Sequence, residues 1–180
     1  MATTLQAPVP AVGSGVSMST AEYLRTMFHP DREYVDGLAE ERNLGEYEHG
    51  KVQSRIWLLL QNHEAEWGID VNIECRLQVS ADRFRIPDVM VLPAGLKVDR
   101  YPTTAPLICI EVLSPEDTWK RLRGVVDDYF AMGVEHVWAF DPQMREAFVC
   151  DRLGFHKVTE LAVVGTAIRL DLQEVFSVLR

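Results

Sequence analysis

The chain has 180 residues, of which 47% are hydrophobic and 25% charged, so it can form a core and is not disordered throughout. Its formal net charge of −9 argues against a protein that coats the nucleic-acid backbone without sequence preference. No apolar run approaches the roughly 20 residues of a membrane span, so we expect a cytoplasmic protein with no membrane partner.

Residues 1–19 form a segment rich in Ala, Thr, Ser, Pro and Gly. The segment lacks the positive start and the continuous apolar stretch of a signal peptide, and we interpret it as a disordered leader. No linker and no internal repeat divides the rest of the chain. We therefore predict one domain over residues 20–180.

The first predicted elements of the domain are a short helix and a hairpin. Ser19, with Glu22 three residues later, has the pattern of a capping box, which predicts a helix that ends near Pro30. The hairpin spans residues 32–42, because Asp36 and Gly37 form a strong turn signal between two short extended segments. We expect its two strands to lie at a sheet edge.

A long helix and three strands follow. Apolar residues recur at spacings of three and four over residues 46–67, which predicts a helix, and Gly68 is a natural stop. Residues 71–79 alternate between apolar and polar, with Glu74 on the polar face, and residues 85–92 form a second strand. Residues 107–113 are almost wholly apolar, as expected of a central strand covered on both faces.

The last part of the domain is predicted to alternate between helix and strand. A helix starts at residues 115–117 and ends at Met132 before Gly133, and a buried strand follows over residues 134–140. Two further strands and a final helix are predicted over residues 145–151, 155–159 and 170–179. This order predicts an α/β fold in which one mixed sheet is flanked by helices.

The cysteines and histidines exclude several kinds of site. Cys75, Cys109 and Cys150 are odd in number, far apart and in apolar segments, so we interpret them as free thiols in a reducing compartment rather than zinc ligands. His63 and His136 are interpreted as core histidines. The sequence has no Gly-x-Ser-x-Gly elbow and no glycine-rich phosphate loop, so it gives no motif for a nucleophilic hydrolase or a nucleotide-binding enzyme.

Two acidic residues lie in apolar strands. Glu111 interrupts the apolar segment of residues 107–113, and Asp88 follows a proline and precedes four apolar residues. A buried charge is costly unless it is paired or binds a metal ion. The two carboxylates can meet at one end of a sheet and bind Mg²⁺ or Mn²⁺ through oxygen. Alternatively, each forms an ion pair with an arginine such as Arg76 or Arg85.

Five segments of the chain carry a further pattern: Arg85–Val89 (RIPDV), Pro106–Asp117 (PLICIEVLSPED) and Asp128–Pro142 (DYFAMGVEHVWAFDP), preceded by Tyr34–Gly37 (YVDG) and Glu48–Gly50 (EHG). In this order they resemble the Uma family, a group of restriction-endonuclease-like proteins in the PD-(D/E)XK nuclease superfamily. The resemblance extends over about residues 20–180. It implies a restriction-endonuclease-like core with a central mixed sheet.

The resemblance also implies site residues. Asp88 matches the metal-binding aspartate of the superfamily and Glu111 the acidic residue of its second half-motif, while the backbone carbonyl of Val112 is implied as a third ligand. Such a site holds one or two divalent ions, which activate water for attack on a phosphodiester. An acidic residue of an early helix can join the site, which makes Glu48 a further candidate ligand and its neighbour His49 a further candidate site residue. Alternatively, the two belong to a solvated first helical turn, in which the helix dipole favours Glu48.

The basic residue of the superfamily motif is absent from its expected places. The superfamily has lysine two residues after the glutamate, where this chain has Leu113, and Uma relatives have a basic residue at the position of Val125. Lys120, Arg121 and Arg123 lie on the same helix, so we expect Arg121 or Lys120 to take a catalytic, charge-stabilising role and all three to contact phosphate. Alternatively, these basic residues form a solvent-exposed face of the helix and have no role in function.

Three hypotheses follow. The first is a divalent-metal-dependent DNA endonuclease, with Glu74 near the acidic site as the resemblance implies, or else in a cross-strand ion pair. The second is a catalytically inactive nuclease-fold protein that acts as a dimeric interaction module, which the absence of the motif lysine favours. The third, which the net charge opposes, is a sequence-specific nucleic-acid-binding protein without catalytic activity. By analogy with restriction enzymes we expect a homodimer.

Overall fold

The secondary structure of the computed structural model is described for residues 15–43 and 45–180. Within them the helices are α1 (Thr20–Arg25), α2 (Tyr47–Gln61), α3 (Glu64–Trp67), α4 (Trp119–Met132) and α5 (Leu172–Phe176). The strands are β1 (Val16–Ser17), β2 (Arg32–Val35), β3 (Leu38–Glu41), β4 (Ile69–Ile73), β5 (Leu77–Ser80), β6 (Arg83–Arg85), β7 (Val89–Pro93), β8 (Ile108–Val112), β9 (His136–Asp141), β10 (Glu146–Cys150), β11 (Phe155–Val158), β12 (Leu161–Ala162) and β13 (Arg169–Leu170).

A mixed sheet of six strands forms the centre of the fold, in the order β11-β10-β9-β8-β7-β4. Strands β8 and β9 are parallel and joined by α4, whereas the other neighbours are antiparallel. The predicted central strand is therefore β8, and the predicted α/β class with a mixed sheet is confirmed.

Helices cover the two faces of this sheet, because successive strand residues point to opposite sides. One apolar cluster joins α2 to Val89, Val91 and Ile110, and the other joins α4 to Met90 and Cys109. Residues on the α4 face therefore alternate with residues on the α2 face along both β7 and β8.

A second sheet of five antiparallel strands, in the order β1-β3-β2-β6-β5, was not predicted. The hairpin of β2 and β3 turns at Asp36 (φ 49°) and Gly37 (φ 88°), as expected for a tight turn that needs positive φ. The expectation that its strands lie at an edge is wrong, because β1 pairs with β3 and β6 pairs with β2. Strand β1 has two residues and β6 comes from a distant part of the chain, so neither partner is visible in the local pattern.

Two predicted strands are each divided between the two sheets. The predicted strand of residues 71–79 breaks at Glu74, whose φ of 48° is incompatible with an extended chain, and continues as β5 in the second sheet. The predicted strand of residues 85–92 likewise divides into β6 and β7 around Pro87 and Asp88. The Glu74 amide donates to the Asp88 carbonyl at 3.4 Å, so the two corners lie side by side.

The predicted helices are confirmed with changes at their ends. The capping box of Ser19 and Glu22 is present, but α1 ends at Arg25. The predicted long helix breaks after Gln61 and ends at Gly68, which has a left-handed backbone. Helix α4 begins four residues after the predicted start, with Thr118 as its N-cap, and ends before Gly133 (φ 104°) as predicted.

Several smaller predictions concern single segments. Residues 1–14 of the predicted leader lie outside the described residues, whereas Val16 and Ser17 form a strand. His63 is not a core residue: it is nearly half exposed and stacks on Trp67. All three cysteines are free, and Cys75 is less buried than Cys109 and Cys150. In the described part of the chain, no helix has both the length and the apolar character to cross a membrane.

Candidate active site

The two predicted acidic residues meet at the ends of adjacent central strands. Val89 pairs with Ile110 in the antiparallel register of β7 and β8, so Asp88 lies opposite Glu111. Directly opposed residues share one face of a sheet, and by alternation this face is the one that α4 covers. If the same register is continued beyond β7, Val112 lies opposite Pro87, and proline has no amide hydrogen to donate to a carbonyl.

Asp88 is 3% exposed and accepts hydrogen bonds on both oxygens. The Val112 amide donates to Oδ2 at 2.7 Å, and Arg42 Nη2 donates to Oδ1 at 2.9 Å. His49 Nε2 lies 3.3 Å from Oδ2. The carboxylate is thus held by a buried amide, a guanidinium and an imidazole, which are the kinds of partner that a buried acidic group requires.

Glu111 is partly buried, and its Oε1 accepts a 2.5 Å hydrogen bond from the Tyr129 hydroxyl of α4. Burial and the negative charge of Asp88 raise the pKa of Glu111 well above its usual range, although the hydrogen bond from Tyr129 acts in the opposite direction. Burial, and next the charge of Glu111, raise the pKa of the Tyr129 hydroxyl well above its usual range. A cation between the two carboxylates would offset the repulsion from Asp88 that contributes to the raised pKa of Glu111.

Two basic groups of the site come from the segment between β3 and the first turns of α2. Burial opposes the charge of Arg42, but four carboxylates outweigh it and raise its pKa, in the order Asp88, Glu111, Glu33 and Glu74. For His49, burial likewise opposes the charged form, and the hydrogen bond and charge of Asp88 outweigh it, so that the pKa is raised.

Asp88 forms an ion pair with an arginine, as the alternative interpretation expected, but the arginine is neither Arg76 nor Arg85. Arg76 pairs with Asp31, and Arg85 pairs with Glu33 and Asp128. Arg42 is the arginine at Asp88. The sequence contains no signal for this contact, because 46 residues separate the two and Arg42 follows two glutamates in a segment typical of a solvated surface.

The basic cluster of α4 faces other partners. Arg121 Nη1 lies 3.1 Å from Asp117 and its Nη2 lies 3.4 Å from Glu33, while Arg123 donates to the carbonyl of residue 151 at 2.8 Å. Lys120 is exposed. Among the described contacts, none joins these three side chains to Asp88 or Glu111. Val125 is 2% exposed within the apolar cluster beneath α4, so no basic group stands at that position.

The three other candidate residues are placed differently from one another. His49 contacts Asp88, whereas Glu48 is exposed and has no hydrogen bond or ion pair among the described contacts. Glu74 does not lie on a strand face but at the corner between the sheets, where Gln53 Nε2 donates both to its Oε1 at 3.2 Å and to the Asp88 carbonyl at 3.1 Å. The structure thus brings His49 and Glu74 to the acidic pair and leaves Glu48 in solvent.

Three residues at the site were not predicted: Arg42, Gln53 and Tyr129 as a hydrogen-bond donor. Tyr129 has the helical spacing of a core residue with Leu122 and is fully buried, so its pattern indicates packing only. Across residues 15–43 and 45–180, no cluster of three or more His, Cys, Asp or Glu side chains is arranged to hold a metal ion. The two acidic side chains that meet at the strand ends are those of Asp88 and Glu111.

These features, a mixed sheet with paired carboxylates at the ends of two central strands, define a nuclease-like α/β protein. The model of the Uma2 family, described as "Putative restriction endonuclease", matches residues 21–178. Because this match covers most of the chain, the protein belongs to the Uma2 family.

A solved structure supports the fold. The chain is similar to "a putative nuclease belonging to DUF820 from Anabaena variabilis ATCC 29413", with a TM-score of 0.78 and 19% identity. The match covers 91% of this chain and 99% of that chain. At this identity the similarity establishes the architecture. No curated protein matches the chain.

Proposed function

We propose that the protein is a DNA endonuclease that hydrolyses phosphodiester bonds with Mg²⁺ or Mn²⁺. The observation that carries the proposal is the opposition of Asp88 and Glu111 at the ends of adjacent strands, where the Val112 amide donates to Asp88. Membership of a family described as "Putative restriction endonuclease" supports the same chemistry.

The donor atoms fit a hard divalent ion. Asp88, Glu111 and the Val112 carbonyl offer oxygen alone, and Mg²⁺ takes few protein ligands because it keeps several waters. The raised pKa of Glu111 supports this fit, since burial and the charge of Asp88 disfavour a second unbalanced carboxylate. When bound, a divalent ion would acidify a water and stabilise the leaving oxygen.

The other residues of the site orient the two carboxylates or offset the negative charge of the DNA. Tyr129 fixes one oxygen of Glu111, and the Val112 amide fixes one oxygen of Asp88, so both carboxylates are held before substrate arrives. We propose that Lys120, Arg121 and Arg123 contact phosphates of the DNA, because they are exposed or partly exposed on the helix that covers this face. We also propose Glu48 as a further metal ligand and Glu74 as an acidic residue near the metal site.

Cleavage of varied DNA by the purified protein tests the proposal. With Mg²⁺ or Mn²⁺ we expect cleavage that chelation abolishes, and a loss of at least about 100-fold in Asp88→Ala, because the chemistry of such a site depends on the ion that the carboxylate holds. Glu135→Gln, an equal loss of charge at an exposed position, is the matched control and should retain activity. Cleavage that survives Asp88→Ala, or none on any DNA, contradicts the proposal.

A second candidate function is a nuclease-fold protein without catalysis that serves as a dimeric interaction or DNA-binding module. It is favoured by Leu113 and the buried Val125 at the two positions where a basic residue was expected. Anomalous scattering from Mn²⁺ between Asp88 and Glu111 in a soaked crystal would count against it. A homodimer, which sedimentation would detect, is compatible with both candidates.

A further inference from the structure

Arg42 places a buried positive charge at the carboxylates of the candidate site. Its side chain is 18% exposed and its Nη2 lies 2.9 Å from Asp88 Oδ1. The second oxygen of Asp88 is already engaged by the Val112 amide. Arg42 therefore occupies the oxygen through which Asp88 would most readily bind a divalent ion.

The guanidinium of Arg42 is held at Asp88 by few contacts. Among the described contacts of residues 15–43 and 45–180, Asp88 is its one hydrogen-bond partner. Arg42 directly follows β3 and precedes α2, outside regular structure, and its neighbour Asn43 donates to Asp117 at 2.8 Å. The backbone is thus anchored beside the site, while one hydrogen bond fixes the charged end of the side chain.

We infer that Arg42 and the divalent ion compete for Asp88. Arg42 neutralises Asp88 in the ion-free protein, leaves it when the ion binds, and then contacts the phosphate of the substrate. A guanidinium and a divalent ion repel each other at a shared carboxylate, and arginine binds phosphate oxygens through paired donors. The inference rests on the proposed function, and it assigns to Arg42 the stabilisation of charge that Leu113 and Val125 cannot supply.

Mn²⁺ binding to wild type and Arg42→Gln, measured by calorimetry, tests the competition. Arg42→Gln removes the competing charge, so we expect Mn²⁺ to bind about tenfold tighter, which is about 1.4 kcal/mol at 25 °C. The same variant should cleave DNA more slowly, because it lacks the phosphate contact. Tighter ion binding together with weaker cleavage is the signature that a purely structural role would not produce.

Arg32→Gln is the matched control. Arg32 has a side chain that is 19% exposed and pairs with Glu41 rather than Asp88, so this variant has the same net charge without the change at the site. We expect its Mn²⁺ affinity to equal that of wild type. Equal or weaker Mn²⁺ binding by Arg42→Gln overturns the inference alone, whereas wild type that binds no Mn²⁺ overturns the proposed function and the inference together.

A measurement on the wild-type protein covers the case in which Arg42→Gln does not fold. In spectra of ¹⁵N-labelled arginine side chains, assigned with Arg42→Lys and Arg32→Gln, Mg²⁺ titration should shift the Arg42 signal and leave that of Arg32 in place. An Arg42 signal that stays unchanged at saturating Mg²⁺ overturns the inference.

Discussion

At the scale of single residues, the site is defined by how each carboxylate is balanced. Asp88 has a guanidinium, an imidazole and an amide as partners, whereas Glu111 has one phenol. Two adjacent carboxylates cannot both be ionised without cost in a buried place. The imbalance explains why Glu111 is the residue with the raised pKa and why the pair suits a cation.

The raised pKa of Glu111 predicts how the free energy of unfolding of the ion-free protein depends on pH. Burial and Asp88 raise its folded-state pKa, so its contribution to stability is present below the ordinary carboxyl pKa and is lost as pH rises through the folded value. Glu111→Gln should therefore be more stable than wild type at neutral pH in a chelator, and the difference should shrink as pH falls towards the ordinary carboxyl pKa. Urea denaturation at several pH values measures this, and a difference that does not shrink towards acid pH would contradict it.

At the scale of elements, a network of buried charges joins the second sheet to α4. Arg85 of β6 lies 2.8 Å from Glu33 of β2 and 2.6 Å from Asp128 of α4. All three side chains are buried, and Arg85 is the guanidinium that contacts both carboxylates. This network holds the second sheet against the helix that carries Tyr129, and it thereby positions the corner at Asp88.

Replacement of the shared arginine tests the network. Arg85→Met removes the guanidinium that Glu33 and Asp128 share. Arg121 still lies 3.4 Å from Glu33 and Arg83 still pairs with Asp128, so we expect the free energy of unfolding to fall by up to about 3–5 kcal/mol, the loss for a buried charge left without a partner. Lys157→Met is the control, because Lys157 pairs with Glu146 on the surface and such pairs contribute about 0–1 kcal/mol. Chemical denaturation of both variants gives the comparison. Equal losses in the free energy of unfolding would show that the buried network stabilises the fold no more than a surface ion pair does.

At the scale of the whole molecule, the thiols report on the integrity of the core. Cys109 lies in the central strand and Cys150 in the neighbouring meander, both within the cluster beneath α4. Burial raises the pKa of Cys150 to about 12 and that of Cys109 well above its usual range, with a further contribution from Glu111. Both thiols are therefore protonated and shielded in the folded protein.

This burial predicts the order of alkylation. At pH 8 we expect iodoacetamide to modify the less buried Cys75 first, and slowly, because burial also raises its pKa, while Cys109 and Cys150 react only when denaturant unfolds the domain. Mass spectrometry of time points identifies the modified residues. Rapid modification of Cys109 in the native protein would show that the core opens locally.

The sequence by itself determined the elements whose signals are local and the two residues that break an apolar pattern. Capping at Ser19, the turn at Asp36 and Gly37, the stop at Gly133 and the apolar strand around Glu111 depend on neighbours along the chain, and they predict the mixed sheet and the acidic pair. A charge inside an apolar strand is informative because its burial is costly wherever the strand lies.

Only the tertiary structure decided the partners of that pair. The division of two predicted strands between two sheets turns on the positive φ of Glu74 and on Pro87, and this corner brings Gln53 to Asp88. Arg42 reaches Asp88 from a part of the chain 46 residues away, while Arg121, which the helical pattern favoured, pairs with Asp117 and Glu33. Long-range ion pairs depend on where whole elements pack, and no spacing along the chain encodes that.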